Sequence, residues 1–431
     1  MHNTNGYHFG TTTLILIGLT LVCITAQVVP FLSDGMPDEK AIAATILPPG
    51  YPPGYTATDF ARARAFTNPL LFGGIARSLS AILAVLALVC SGIATNFGGT
   101  GSHDRKREWL HRILFLLALF LLLRAVELPF ALCRFKHYHA FGLTPLTFTG
   151  WGGLFLLALP IPLAVFTLKY LLVVCTFPLF KRSWWIAACL LIFLITDVMP
   201  EVVSRTYPLD PVTTLSPLEP SSHAEALSKL FKKEGLDMPI IILDQSKRSN
   251  TANIYISGRP GREYVVLTDT FLSGFTPEET ALALSHEIGH FRNRGALLLT
   301  NKALAFLTLI LGFGLAFMLT GRGVVQMSSA MQTVMIVMLC VSACAMAAQP
   351  LSNAISRSQE RLADQHALRK AADPAQYDRL LVKLAQLNLE PLTIPRWKAI
   401  LFSDYPSVME RLSVVSCQPA YSLPPGGRAG R

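Results

Sequence analysis

Apolar residues in this chain are gathered into long uninterrupted runs. A helix needs about 20 predominantly apolar residues to cross the hydrocarbon core of a bilayer. Seven runs meet this requirement, near residues 11–32, 79–97, 109–132, 149–177, 183–200, 299–320 and 326–349. The pattern therefore predicts a polytopic helical membrane protein with about seven spans.

The first run has two interpretations. Ile24-Thr25-Ala26 resembles the small-residue cleavage site of a secretory signal, yet no Lys or Arg precedes the run. The missing basic residues favour a membrane anchor, and the signal remains the alternative.

Two polar segments lie outside the spans, at 201–298 and at 350–431. Five spans precede the first segment and two separate it from the second, so both segments are expected on one face of the membrane. The sequence thus predicts an N-terminal membrane domain at 1–200, a first polar part at 201–298, two spans within 299–349 and a second polar part at 350–431. The two polar parts can build one site.

Composition and charge agree with a membrane protein. Apolar residues make up 52% of the 431 residues and charged residues 15%, with a mean hydropathy of +0.44. The net charge of +10 comes from basic residues scattered at segment ends, without a basic stripe, so no nucleic-acid partner is predicted. Basic residues near the polar segments, such as Arg292, Arg294 and Arg357, favour the cytoplasmic side for these segments.

Charged residues also occur inside the predicted spans. Arg124 and Glu127 lie three residues apart on the third span, where charges are costly. They fit either an intrahelical ion pair or a water-filled interior reached by substrate. Lys169, late in the fourth span, fits a side chain that extends to the membrane interface.

The segment 286–290, His-Glu-Ile-Gly-His, carries the strongest chemical signal. Thr276-Pro277 upstream predicts the start of a helix. On a helix, His286 and His290 project from one face and can bind one Zn²⁺, while Glu287 lies beside a metal-bound water. The pattern predicts a catalytic zinc with Glu287 as the general base. An exposed polar helix face is the simpler alternative.

A second acidic pair follows the last span. A catalytic zinc usually has three protein ligands and an open fourth position, and Glu360 can be the third ligand. Asp364 lies four residues on, where it can accept a hydrogen bond from a zinc-bound His. Taken alone, the segment would fit a solvated helix with salt bridges to Arg357, Arg361 and Arg369.

Several segments resemble the integral-membrane zinc metalloproteases of the CAAX prenyl protease type and related bacterial membrane peptidases. They are HEIGH at 286–290, SRSQERLAD at 356–364, DYPSVMERL at 404–412, DQSKRS at 244–249, NIYISG at 253–258 and, more loosely, ELPF at 127–130 and the patch 138–144. The resemblance implies a zincin-type metalloprotease domain with a small sheet, formed by the two polar parts. It also implies a helical chamber that encloses the site.

The resemblance assigns roles to individual residues. His286, His290 and Glu360 would bind one Zn²⁺ per chain, with Glu287 as catalytic base and Asp364 behind the ligands.

The resemblance also assigns roles to three further residues. Arg411 would hold substrate or stabilise the oxyanion, its alternative being a surface salt bridge with Glu410 or Asp404. Asn253 would bind the substrate main chain on an exposed strand edge, unless it is a plain loop residue. Tyr405 replaces the His that the family usually has there, and its phenol can still donate a hydrogen bond to the oxyanion.

The sequence therefore predicts a membrane-embedded zinc endopeptidase acting on a peptide or protein substrate. Prenylated CAAX tails are the first candidate substrate, and membrane-associated or misfolded polypeptides in bacterial quality control are the second. A non-catalytic scaffold or transporter with a structural zinc is the rival from another class, but such a site has no need of Glu287. The chain has neither GxGxxG before a helix nor GxxxxGK[ST], so no nucleotide is predicted.

Overall fold

A computed structural model of the chain describes residues 10–32, 52–96, 105–200, 215–259, 261–321, 329–371 and 373–416. The chain divides into two compact units. The first comprises Met1–Met36, Ala65–Pro208 and Leu298–Gln349, and the second comprises Pro37–Arg64, Leu209–Leu297 and Pro350–Arg431. The expected N-terminal membrane domain included residues 52–64, whereas in the structure they belong to the second unit. Within that unit Tyr55 is part of the hydrophobic core, and the Gln386 side chain donates to the carbonyl of Gly54.

The first unit is helical. Its helices are α1 (Thr11–Leu32), α2 (Ala57–Ser91), α3 (Arg105–Ala140), α4 (Phe148–Leu157), α5 (Pro160–Phe180) and α6 (Trp184–Phe193), joined by the apolar parts of α9 (Pro277–Gly321) and α10 (Ala330–Lys370). Within the described residues, five helical stretches are long and apolar enough to cross a membrane: Ala57–Ser91, Lys106–Ala140, Phe148–Val198, Pro277–Gly321 and Ala330–Lys370. A shorter apolar helix covers Thr11–Ala26.

The seven predicted spans fall on these helices wherever the structure describes them. Two of them, 149–177 and 183–200, fall on the single stretch Phe148–Val198, and the run at 11–32 falls on the shorter apolar helix Thr11–Ala26. These two differences account for five long stretches where seven spans were predicted. This stretch bends where Pro160 begins α5 and where Lys181 adopts a positive φ of 43°. The mainly helical, membrane-spanning fold class with a small sheet is confirmed.

The charged pair predicted in the third span forms part of a small ion network. Arg124 Nη1 lies 2.5 Å from Glu127 Oε2, as the intrahelical alternative predicted, and Arg77 Nη1 of α2 lies 3.3 Å from Glu127 Oε1. Arg77 and Glu127 also line a cavity of about 260 Å³ in the first unit. The structure therefore confirms the intrahelical ion pair, and a water-filled interior reached by substrate stays a prediction.

The second unit contains the sheet and the polar ends of α9 and α10. Its elements are β1 (Leu215–Pro217), α7 (Ser222–Glu234), β2 (Ile240–Leu243), β3 (Ile254–Arg259), β4 (Arg262–Thr268), α8 (Asp269–Gly274), α11 (Pro374–Asn388), α12 (Arg396–Phe402) and α13 (Val408–Ser416). Residues 277–297 and 350–370 belong to this unit and lie outside the apolar membrane-spanning segments 299–320 and 326–349.

The sheet has the order β1-β2-β4-β3, with β2 and β4 parallel and the other pairs antiparallel. A tight β3–β4 hairpin is possible because Gly258 and Gly261 adopt φ values of +101° and +79°, which favour glycine. Strand β3 lies at the edge, so one side of its backbone has no strand partner within the sheet.

Capping residues determine where the helices that carry the site begin, and apolar faces determine how these helices pack. Thr276 and Glu279 form reciprocal hydrogen bonds at the start of α9, as the sequence predicted for this helix start. Asp373 caps α11, where Pro374 occupies the first turn. Tyr377, Leu380 and Leu381 on one face of α11 join the hydrophobic core of the second unit.

Candidate active site

Helices α9 and α10 bring three possible metal ligands together. His286 Nε2 lies 3.1 Å from His290 Nε2 and 3.4 Å from Glu360 Oε2, and His290 Nε2 lies 3.2 Å from Glu360 Oε1. Tetrahedral ligands about 2.0–2.1 Å from Zn²⁺ lie roughly 3.3–3.4 Å from one another. The donor set and its spacing therefore fit one zinc ion.

A buried carboxylate orients the first histidine. His286 Nδ1 lies 3.0 Å from Asp364 Oδ1, and the Asp364 side chain is fully buried. When Nδ1 carries the proton and donates it to this carboxylate, the lone pair of Nε2 is free for a metal. The structure thus places Asp364 beside His286, one of the three possible ligands, and its role as their support stays a prediction.

Tyr377 was not among the residues predicted from the sequence. Its hydroxyl donates to Asp364 Oδ1 over 2.6 Å and lies 3.1 Å from His286 Nδ1. It completes the hydrogen bonding of the buried carboxylate. No motif or spacing identifies this tyrosine, because α11 reaches the site only through tertiary packing.

Arg411 is the cation of this buried cluster. Its Nε donates to Asp364 Oδ2 at 3.0 Å and its Nη2 to Asp364 Oδ1 at 2.7 Å. Its ionic partner is therefore Asp364, not Glu410 or Asp404, and its side chain is only 14% exposed. Burial alone would raise the pKa of Asp364, but the His286 hydrogen bond and the Arg411 charge hold it well below its usual range.

The two glutamates nearest the ligand cluster have opposite shifts. Burial raises the pKa of Glu287, because a buried carboxylate is less stable in its ionised form. Burial also acts against ionised Glu360, but hydrogen bonds from His286 and His290 lower its pKa to about 2. Glu360 is therefore held as a carboxylate, the form that binds metal.

A cleft of about 690 Å³ opens beside these residues within the second unit. Glu287, Asn253, Tyr405 and Arg411 all line it. Burial raises the pKa of Tyr405 to about 12, so its phenol stays protonated and able to donate at neutral pH. Tyr405 is 54% exposed, although the backbone around it is fixed by a hydrogen bond from the Ser403 hydroxyl to its carbonyl.

Asn253 lies just before the edge strand β3. Its backbone N–H donates to Thr268 Oγ1, and its carbonyl accepts from the backbone N–H of Thr268. Because its backbone is occupied in this way while the residue is exposed, the amide side chain is available to the cleft.

Helices α9 and α10 approach closely at Gly289, between the two histidines. A Cβ at this position would lie 2.8 Å from Ala363 Cα and 3.0 Å from His366 Cβ. Such contacts force the two helices apart, and Glu360 with them. The close approach explains why a glycine suits this position of the helix.

Gly289→Ala is expected to destabilise the protein by about 1–3 kcal/mol and to weaken zinc binding about tenfold. Thermal unfolding in detergent and competition with a chelating zinc dye measure the two effects. Gly295→Ala on the same helix is the matched control, because a Cβ there meets nothing within 4 Å. Equal behaviour of the two variants would contradict the packing argument.

Comparison with known proteins gives matches over most of the chain. Residues 221–417 match the model of peptidase family M48. Residues 40–206 match the model described as CAAX prenyl protease N-terminal, five membrane helices. The first match contains the His286–His290 segment, Glu360 and the two last membrane spans, and the second contains the membrane helices that precede them.

Individual relatives are distant. The chain is 23% identical over 323 residues to an uncharacterized metalloprotease, YhfN, of Bacillus subtilis (strain 168), covering 71% of this chain and 73% of the relative. It is 26% identical over 111 residues to CAAX prenyl protease 1 of Saccharomyces cerevisiae, covering about a quarter of each chain (25% and 24%). The fold is similar to the crystal structure of S. mikatae Ste24p, with a TM-score of 0.72, 20% identity and coverage of 94% of this chain and 99% of that one.

The helical membrane unit, the His–Glu–His helix and both family matches point to one assignment. Residues 221–417 form a peptidase M48 domain and residues 40–206 a CAAX prenyl protease N-terminal domain, so the chain is an integral-membrane metallopeptidase of the CAAX prenyl protease type.

Proposed function

We propose that the protein is a zinc endopeptidase that hydrolyses peptide bonds within the cleft of the second unit. The observation that carries the proposal is the spacing of His286, His290 and Glu360, whose donor atoms lie 3.1–3.4 Å apart beside a cleft that Glu287 lines. A structural zinc would need no free carboxylate there, so Glu287 argues against the scaffold alternative.

Zinc bound by His286, His290 and Glu360 would supply Lewis acidity towards the attacking water and the scissile carbonyl. Glu287 accepts the proton of the attacking water and later passes it to the leaving amine. Tyr405 donates a hydrogen bond to the oxygen of the scissile carbonyl as negative charge develops on it. Arg411 and Tyr377 hold Asp364, which in turn holds the ring of His286.

Substrate main chain is proposed to extend along strand β3. This strand is at the edge of the sheet and can pair with an extended peptide. Asn253 at its start would bind the peptide backbone.

The wall of the cleft between β3 and α11 is apolar. Ile254, Leu380, Leu381, Leu384 and Ile394 contribute to it. Such a wall suits the aliphatic residues of a CAAX tail or of a membrane-associated polypeptide.

Two substrate classes follow from this proposal. The first is prenylated CAAX-type tails, the substrate class suggested by the name of the S. cerevisiae relative. The second is membrane-associated polypeptides. It remains a candidate because Tyr405 occupies the position at which the family usually has His, a difference that can change the substrate preference. The predicted position of the active site is the cytoplasmic side of the membrane, from the excess of basic residues near the polar segments.

The test is cleavage of a farnesylated CAAX peptide and its unprenylated twin by the full-length protein in detergent with added zinc. We expect cleavage that a chelator abolishes and zinc restores. Preference for the lipidated peptide supports the first substrate class, and equal cleavage of both peptides supports the second. Zinc binding without any peptide or protein cleavage would overturn the proposed activity in favour of a scaffold.

A further inference from the structure

Glu390 is a charged residue of the cleft that the proposed reaction does not use. It follows α11 by two residues and lines the same cleft as Glu287 and Tyr405. The residue is exposed, so the carboxylate faces the space that a substrate would fill. Its charge acts on both Tyr405 and Arg411, which places it near the reacting centre.

No cation neutralises Glu390 within the described residues, none of whose Lys, Arg or His nitrogens forms an ion pair with it. The charged groups closest to the ligand cluster already have partners. Glu360 lies between the two histidines, and Arg411 is bound to Asp364 through Nε and Nη2. Burial raises the pKa of Glu390, and the charge of Arg411 opposes this only in part, so a cation supplied by the substrate would stabilise the ionised carboxylate.

Asn388 holds this carboxylate in a fixed relation to the substrate-binding strand. The Asn388 Oδ1 accepts the backbone N–H of Ala252 at 3.2 Å, and its amide donates to the Ala252 carbonyl at 3.4 Å. Glu390 lies two residues after Asn388, and the Asn388 amide lowers the pKa of its carboxyl group. Ala252 directly precedes Asn253, so Asn388 anchors the chain that carries the acid at the start of β3.

We propose that Glu390 is a specificity-determining residue that binds a cationic side chain, Lys or Arg, of the substrate close to the scissile bond. An oriented carboxylate in a partly desolvated cleft discriminates by charge, attracting cations and repelling acids. The inference rests on the proposed peptidase function, since it names the substrate class for that same cleft. A preferred substrate would then carry a cationic side chain for Glu390 in addition to the aliphatic side chains that suit the cleft wall.

The test uses the full-length protein in detergent with zinc and a set of matched peptides. Each peptide carries Lys, Gln or Glu at a single varied position. That position lies before the scissile bond in one series of peptides and after it in the other. We expect kcat/KM for the Lys peptide to exceed that for the Gln peptide by roughly tenfold at one position, and the Glu peptide to be worst. Glu390→Gln should remove this preference, and Glu390→Lys should reverse it between the Lys and Glu peptides.

Glu225→Gln is the matched control, because Glu225 is an exposed carboxylate on α7 that does not line the cleft. It should retain the wild-type preference. Peptide affinity measured in a Glu287→Gln background provides a second readout that needs no turnover, and zinc content shows whether each variant is folded.

Two outcomes distinguish failure of the specificity inference from failure of the proposed peptidase function. Glu287-dependent cleavage with no charge preference, or with a preference unchanged in Glu390→Gln, would overturn the role of Glu390 alone. Absence of any Glu287-dependent cleavage by the wild-type protein would instead overturn the peptidase proposal, and the specificity inference with it.

Discussion

Glu287→Gln is expected to lower kcat by about 10²–10⁴-fold while the protein remains folded and still binds zinc. Glutamine has almost the same shape as glutamate but cannot take the proton of the attacking water. Glu287 lines the cleft beside the ligand cluster, and burial raises its pKa above the ordinary value, which brings it closer to that of an effective base. None of the three proposed ligands is altered by the substitution.

The measurement is kcat on a peptide substrate together with zinc content by elemental analysis. Glu278→Gln is the matched control, because Glu278 is exposed in the first turn of the same helix and does not line the cleft. We expect Glu278→Gln to retain full activity. Proteolysis that persists in Glu287→Gln at the wild-type rate would show that another group is the base.

Much of the fold follows from local sequence patterns. Runs of about 20 apolar residues predict membrane helices because lipid leaves the backbone no other hydrogen-bonding partner. Caps such as Thr276-Pro277 identify where a helix begins. The division of the helices is less predictable, because in Phe148–Val198 helical turns continue past the polar segment at Lys181.

The ligand set is also visible in the sequence, because its members lie on two helices with helical spacing. His286, Glu287 and His290 share one turn, and Glu360 and Asp364 another. The structure brings these two groups together, while their roles as ligands, base and support remain predictions.

Tyr377, Asn388 and Glu390 illustrate what sequence reasoning cannot reach. They reach the site from α11 and the residues that follow it, and their contacts join segments 13 to 136 residues apart. A tyrosine on an apolar helix face looks like any core residue, since nothing local marks its hydroxyl partner. Arg411 was predicted near the reacting carbonyl, yet its buried partner Asp364 on α10 emerges only from the tertiary contact between α13 and α10.

Removal of Arg411 is expected to destabilise the second unit by about 3–5 kcal/mol, because Asp364 would be left as a buried carboxylate without its cation. Asp364 is fully buried, and two nitrogens of Arg411 hold both of its oxygens at 2.7 and 3.0 Å. Loss of this support also frees the ring of His286, so zinc affinity should fall about 10–100-fold. Thermal unfolding in detergent and zinc competition on Arg411→Ala measure both effects.

Comparison with Tyr405→Phe separates support of the metal ligands from contact with the transition state. Arg411→Lys keeps a positive charge but lacks the planar fork that meets both carboxylate oxygens, so it should recover only part of the stability. Tyr405→Phe should leave stability and zinc binding unchanged while lowering kcat, because Tyr405 contacts the cleft and none of the ligands. Arg379→Ala is the control for charge removal, since the Arg379–Asp373 pair is exposed and 3.7 Å long and should change nothing measurable. Wild-type stability and zinc affinity in Arg411→Ala would show that Asp364 does not depend on this cation, and would limit Arg411 to binding substrate.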